Sequence, residues 1–248
     1  MKSCRAVFLD VLVRATRQPL ECISITDCTG VKGRVVALDN PGHMGVALYA
    51  SYLCELECYA RGCGDGVYLE WAHRNIIRAI AYQNTWQGVR LNEAYYNVID
   101  FFSSDNGLDG LYAYNATFNI IRGVAFYNKK HGVEIDGGGD NFLEVISRNN
   151  SVEGSGAGSG MRINNSSYNQ ILLRSDDARD PPLHAYALVE EGASDHNQVL
   201  GGRFTGWVSG PVSKVGPNTV IRNVVGYPTE SRGTATIAAG STSVTVNH

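Results

Sequence analysis

Gly66-Val67-Tyr68-Leu69, Gly88-Val89-Arg90-Leu91, Gly110-Leu111-Tyr112-Ala113, Gly132-Val133-Glu134-Ile135 and Gly160-Met161-Arg162-Ile163 repeat one phrase, a glycine followed by alternating residues. The first four glycines stand 22 residues apart. Nine residues after each glycine comes an asparagine, at Asn75, Asn97, Asn119, Asn141 and Asn169, and the series runs on to Asn197 and Asn218. A fixed period of this size indicates a solenoid in which each coil stacks on its neighbours.

Period-2 alternation assigns the faces of the glycine strands. Val67, Val89, Leu111, Val133 and Met161 point inward, as do Leu69, Leu91, Ala113, Ile135 and Ile163. The runs after the asparagines, such as Ile76-Ile77, Val98-Ile99, Ile120-Ile121 and Phe142-Leu143, supply a second sheet. One of its positions reads Arg78, Asp100, Arg122 and Glu144, a row of alternating sign on coils about 4.8 Å apart. The asparagines read as corners: Asn tolerates left-handed backbone, and stacked amides can bond from coil to coil.

These residues resemble the parallel β-helix repeat family shared by pectate lyases, polygalacturonases, alginate epimerases, NosD-type proteins and phage tailspikes. The pattern covers residues 66 to 172, and more loosely 22 to 225. The resemblance implies an all-β, single-stranded, right-handed parallel β-helix over residues 1–232, of which 1–45 form an irregular cap and first coil. An early coil with Cys22-Ile-Ser-Ile and Arg34-Val-Val-Ala would align Cys22 with Cys54 at the Asn corner. Residues 233–248 alternate around Gly240-Ser241 and read as a C-terminal β-hairpin, or the start of a further β-module. Residues 1 to 20 are expected to fold across the first coil, because an uncovered end exposes core and strand edges. Self-association as a homotrimer, by analogy with tailspikes, is the alternative.

The 28 glycines against 7 prolines suit short strands and tight turns. A formal net charge of −3 gives no basic footprint for nucleic acid. No run reaches the roughly 18 apolar residues of a membrane-spanning helix, and Asp10, Arg14 and Arg17 interrupt any apolar core of a leader. All six cysteines fall in the first 63 residues without a C-x-x-C pair. They read as buried small residues stacked along the solenoid, with room for one or two disulfides if the compartment is oxidising, and a zinc cluster is not expected.

Two coils are six residues longer than the rest, with insertions around 152–159 and 175–184. Loops inserted on one edge of a solenoid commonly border its binding surface, here the outward side of the glycine strands. One row there reads Tyr68, Arg90, Tyr112, Glu134, Arg162; the next reads Glu70, Asn92, Tyr114, Asp136, Asn164; a third, before the glycines, reads Asp65, Gln87, Asp109, His131, Ser159. Tyr68, Arg90, Tyr112 and Tyr114 suit sugar stacking and uronate pairing, unless these rows only stabilise coil stacking.

The candidate catalytic cluster is Asp109, His131, Glu134, Asp136 and Arg162. Glu134 and Asp136 are two apart on a strand, about 6.6 Å, a separation suited to an acid and a base flanking a glycosidic bond. Leu108-Asp109-Gly110, Lys130-His131-Gly132 and Arg162-Ile163-Asn164 resemble the polygalacturonase Asp, Gly-His-Gly and Arg-Ile-Lys positions, with departures at Trp86-Gln87-Gly88, Leu108 and Asn164. A lyase or epimerase would instead use Arg90, His131 or Arg162 to abstract a proton beside a neutralised carboxylate. No cofactor is required, although Asp176, Asp177 and Asp180 offer oxygen ligands for Ca²⁺.

Two function classes follow. One is a hydrolase or lyase acting on an extended acidic polysaccharide; the other is a noncatalytic tail, fibre or adhesin protein with the solenoid as rigid scaffold. Either is expected to be extracellular, cell-surface or virion-associated.

Overall fold

The computed structural model describes residues 5, 7–14, 21–152, 158–213 and 216–227. Its strands form two parallel sheets that share one core. The first is made of β1 (Phe8–Arg14), β3 (Lys32–Leu38), β5 (Glu55–Arg61), β7 (Ile76–Tyr82), β9 (Val98–Ser104), β11 (Ile120–Phe126), β13 (Phe142–Arg148), β15 (Gln170–Asp176), β17 (Gln198–Thr205) and β19 (Val220–Ile221), with β20 (Val224–Val225) also on β17. The second holds the glycine strands: β2 (Ile23–Thr26), β4 (Val46–Tyr49), β6 (Val67–Glu70), β8 (Val89–Asn92), β10 (Leu111–Thr117), β12 (Val133–Gly139), β14 (Met161–Asn164), β16 (Tyr186–Glu191) and β18 (Gly210–Ser213). From β1 to β19 successive strands along the chain alternate between sheets, which is the path of a solenoid.

The predicted interior is observed. Val67, Val89, Leu111 and Val133 pair in one register and are fully buried, as are Leu69, Leu91, Ala113 and Ile135. Arg78, Asp100, Arg122 and Glu144 are likewise consecutive in register.

The Asn series forms a buried ladder. The amides of Asn75, Asn97, Asn119, Asn141 and Asn169 each donate through Nδ2 to the next Oδ1, to Asn197, at 2.9–3.1 Å. Each of those Oδ1 atoms also accepts the preceding rung's backbone N–H. The left-handed residue is not the Asn but the one before it, for example Arg74, Tyr96 and Phe118, with φ of 57–59°. The Asn is needed inside, where its amide satisfies buried backbone that the turn leaves unpaired. The ladder ends at Asn197, whose N–H meets Thr219 Oγ1, while Asn218 turns out to Asp195.

A second ladder, Asn84, Asn106, Asn128 and Asn150, lines another corner. It explains the glycines. A Cβ on Gly88 would lie 1.9 Å from Ser103 Oγ, and one on Gly132 would lie 2.0 Å from Ser147 Oγ. Those hydroxyls donate to the carbonyls of Gly110 and Gly160, so the space beside each glycine is filled by the partner corner.

The ends differ from expectation. Ile23 pairs with Val46, which pairs with Val67, so Cys22 sits at the glycine corner. Cys54 alone takes the Asn-corner place, its N–H donating to Asn75 Oδ1. Within the segment expected to fold across the first coil, residues 8–14 add to β3 as a parallel strand, with Leu9, Val11 and Val13 against the core. The rest of residues 1–20 apart from Arg5 and Val7, and the 233–248 hairpin, lie outside the described residues. Cys54, Cys58 and Cys63 are buried thiols, and Cys28 is disulfide-bonded.

Candidate functional site

The expected rows stand side by side on the glycine-strand sheet. Tyr68, Arg90, Tyr112, Glu134 and Arg162 occupy one register on β6 to β14, and Glu70, Asn92, Tyr114, Asp136 and Asn164 the next. The Arg90 guanidinium lies between two rings, 5.4 Å from the centre of Tyr68 and 5.8 Å from that of Tyr112. Tyr112 donates to Asp136 Oδ2 at 3.2 Å, and Asn164 Nδ2 donates to Asp136 Oδ1 at 2.8 Å. Stacking buries Tyr68, whereas Tyr114 remains 39% exposed.

The third row is buried, and each of three side chains in it receives a backbone N–H from the following coil. Gln87 donates to Asp65, His131 to Asp109 Oδ1, and Ser159 to His131 Nδ1. An imidazole that accepts at Nδ1 is neutral and carries its proton on Nε2. Burial, with Lys130 and Arg162 nearby, pushes the His131 acid down to about 3. His131 therefore differs from the free proton acceptor expected of it: one nitrogen is occupied and the other faces Glu134 Oε2 at 3.9 Å.

Asp109, His131 and Glu134 converge, with one ligand atom from each lying within 4.8 Å of the others. Burial raises Asp109 to about 7 against the opposing pull of Lys130, and Glu134 adds to the rise. Glu134 accepts from Lys130 Nζ at 2.9 Å and from Arg162 Nη1 at 2.5 Å. Arg162 also reaches Glu191 with Nε and Nη2. Asp136 stands apart in the second row, between Tyr114 and Asn164, and is bonded by Tyr112 and Asn164. Lys130 and Glu191 thus join the site without having been candidates. Lys130 could have been found from its place four residues before Glu134, but Glu191 approaches across a coil of irregular length and leaves no spacing signal.

Among the described residues, Asp109, His131 and Glu134 are the group spaced closely enough to hold a metal ion. The surroundings do not fit one. Two cations already occupy Glu134, and the Nε2 proton of His131 would have to leave. Of the carboxylates considered for Ca²⁺, those of Asp176 and Asp177 are engaged as well. Against the upward push of burial, Arg179 and the N–H groups of His184 and Leu183 hold Asp177 down at about 2. Asp176 accepts from Arg174 and Thr205.

Residues 21–176 match the family model described as right handed beta helix region, and the chain belongs to that family. No curated protein matches the sequence. Among solved structures, the A-module of the Azotobacter vinelandii mannuronan C-5 epimerase AlgE6 is similar over 90% of this chain and 79% of that one, at 15% identity and a TM-score of 0.53. The A-module of AlgE4 from the same organism aligns over 89% and 83%, at 13% identity and a TM-score of 0.52. At these identities the likeness is one of fold. No helix among the described residues is long and apolar enough to cross a membrane.

Proposed function

We propose that the protein binds an extended acidic polysaccharide along the outward face of β6 to β14 and modifies it by proton transfer at Asp109. The observation that carries this reading is the meeting of two carboxyl groups in unlike surroundings: Asp109, raised to about 7, and Glu134, clamped by two cations. Such pairs are how one site holds an acid and its partner at neutral pH. An acid titrating near 7 both gives and takes protons at working pH. Lys130 and Arg162 can trade part of their pairing with Glu134 for a uronate carboxylate and stabilise charge that develops beside it. Tyr112 and Tyr114 offer rings for sugars, with Arg90 beside Tyr112, while the buried Tyr68 supports Arg90 from the other side. The modules similar in fold are named as mannuronan epimerases, which accords with a polysaccharide substrate.

The reaction is hydrolysis or elimination. In hydrolysis Asp109 protonates the leaving oxygen while Glu134 takes a proton from the water that attacks the sugar carbon; in elimination Asp109 removes the proton beside the uronate carboxylate, the bond from the neighbouring carbon to the glycosidic oxygen breaks, and that oxygen takes a proton from solvent. A polymer of this kind lies outside the cytoplasm, so we place the protein extracellularly, on a cell surface or on a virion. The Cys28 disulfide accords with an oxidising compartment.

A second reading, a noncatalytic glycan-binding scaffold, is favoured by one observation: Lys130 and Arg162 are both already paired within the chain. The test is incubation of wild type and Asp109→Asn with uronate-containing and neutral polysaccharides, following new reducing ends and the absorbance of unsaturated uronates. Product from acidic polymers, reduced at least about 100-fold by Asp109→Asn while the polymer is still retained, is expected. Retention without product supports the scaffold; neither retention nor product rejects the proposal.

A further inference from the structure

Two departures from the repeat meet at one corner of the solenoid. The glycines that open the glycine strands pack against the second Asn ladder: a Cβ on Gly66, Gly88, Gly110 or Gly132 would lie 2.7–2.8 Å from Nδ2 of Asn84, Asn106, Asn128 or Asn150 respectively. One coil earlier, Cys63 takes the ladder's place. Its N–H donates to Asn84 Oδ1 at 3.0 Å, as the N–H of Asn84 does to Asn106 Oδ1. A Cβ on Gly45 would accordingly lie 3.0 Å from Cys63 Sγ. The glycine column changes one rung below Gly45. Ile23 pairs with Val46, so the residue under Gly45 is Cys22, which brings a sulfur where the later coils have none.

The asparagine place and the glycine place are thus both filled by cysteine on neighbouring coils, and the two thiols lie within hydrogen-bond reach of each other. The other thiols stand elsewhere. Cys58 is in register with Val35 and Ala79 inside the core, and Cys54 occupies the other Asn corner. Cys22 is partly exposed, whereas Cys63 is fully buried. The contact with Cys22, together with burial, pushes the Cys63 thiol up, so Cys22 is the sulfur that solvent-borne reagents reach first.

We propose that Cys22 and Cys63 are a disulfide site, separate from the disulfide of Cys28, that oxidation by a small-molecule disulfide closes. The Cys22 thiolate attacks one sulfur of that reagent and expels the other as a thiol, leaving a mixed disulfide. Cys63, losing its proton, then attacks the Cys22 sulfur and expels the second thiol. The two cysteines lose two electrons and two protons, and the reagent is reduced to two thiols. The product staples the turn before β2 to the turn after β5. That position is useful because β2 ends its sheet and is paired with β4 alone, so its coil has neighbours on one side and is among the first to fray.

The experiment is incubation of the full chain with excess oxidised glutathione, alkylation of the remaining thiols in denaturant, and mass spectrometry of the unreduced tryptic peptides. Peptide 62–74, which carries Cys63, is expected to be joined to peptide 18–32, which carries Cys22 and Cys28, and the link is expected to vanish in Cys22→Ser. Peptide 62–74 in any other state, whether alkylated or joined to the 35–61 peptide of Cys54 and Cys58, would overturn the proposal. So would a link to 18–32 that survives Cys22→Ser. Thermal unfolding reads the staple itself. The melting temperature of wild type should exceed that of Cys22→Ser by about 5 °C or more after oxidation, and the gap should close in reducing buffer. A gap of the same size in both buffers would show that the serine, and not a lost bond, is responsible, and would overturn the stapling role.

Discussion

Arg162 Nη1 lies 2.5 Å from Glu134 Oε1, and the same guanidinium reaches Glu191, so one side chain ties together strands β12, β14 and β16. Glu134 is almost fully buried, its side chain 3% exposed. Removing Arg162 would leave that carboxylate with Lys130 as its one close cation. Arg162→Ala is therefore expected to cost about 2–4 kcal/mol by urea denaturation, and adding Glu134→Gln should recover part of it. An Arg162→Ala variant as stable as wild type would show that the pair carries no stability.

Asp109 and His131 give stability a pH dependence of opposing signs. Asp109, raised from 3.8 to about 7, contributes stability that is complete below about pH 4 and is lost as pH rises through 7. His131, lowered from 6.5 to about 3, contributes stability that is complete above pH 6.5 and is lost as pH falls through 3. Between about pH 4 and 6.5 the two slopes offset each other. Asp109→Asn keeps the Oδ1 acceptor but removes the falling slope. Its melting temperature should rise from pH 4 to 6.5 while that of wild type stays nearly level, and should exceed wild type at pH 8. Calorimetry showing parallel curves would refute the raised Asp109.

Asn119 serves five hydrogen bonds through its side chain: Nδ2 donates to Asn141 and to the carbonyls of Ala94 and Thr117, and Oδ1 accepts twice from Asn97. Asn119→Ala strands these partners in a dry interior. A loss of about 3 kcal/mol or more is expected in chemical denaturation. A loss below about 1 kcal/mol would mean that the ladder is not a main prop of the coils.

The fold was legible because its geometry repeats at positions only a few residue types can fill. Glycine is required where Ser103 or Ser147 crowds the corner, and asparagine where an amide must bridge coils, so both recur at the coil period. The Asn84 ladder carries the same spacing and was equally open to reading. The left-handed corners were not, because Arg74, Tyr96 and Phe118 share no side-chain type. Of the site, the rows on the glycine strands could be read from alternation. The neutral tautomer of His131 and the clamp on Glu134 depend on Ser159 and Glu191, on coils of unequal length that strand periodicity does not align.

The central claim is that the Tyr112 face holds the polysaccharide. Its most direct measurement is calorimetric titration of a uronate oligosaccharide into wild type, into Tyr112→Ala with Tyr114→Ala, and into Ile76→Ser on the other sheet. Both tyrosines point outward, so the fold should survive their loss. Affinity is expected to fall at least about tenfold in the tyrosine variant, a change of about 1.4 kcal/mol or more, and to stay at the wild-type value in Ile76→Ser. Equal affinity in all three proteins would contradict the account.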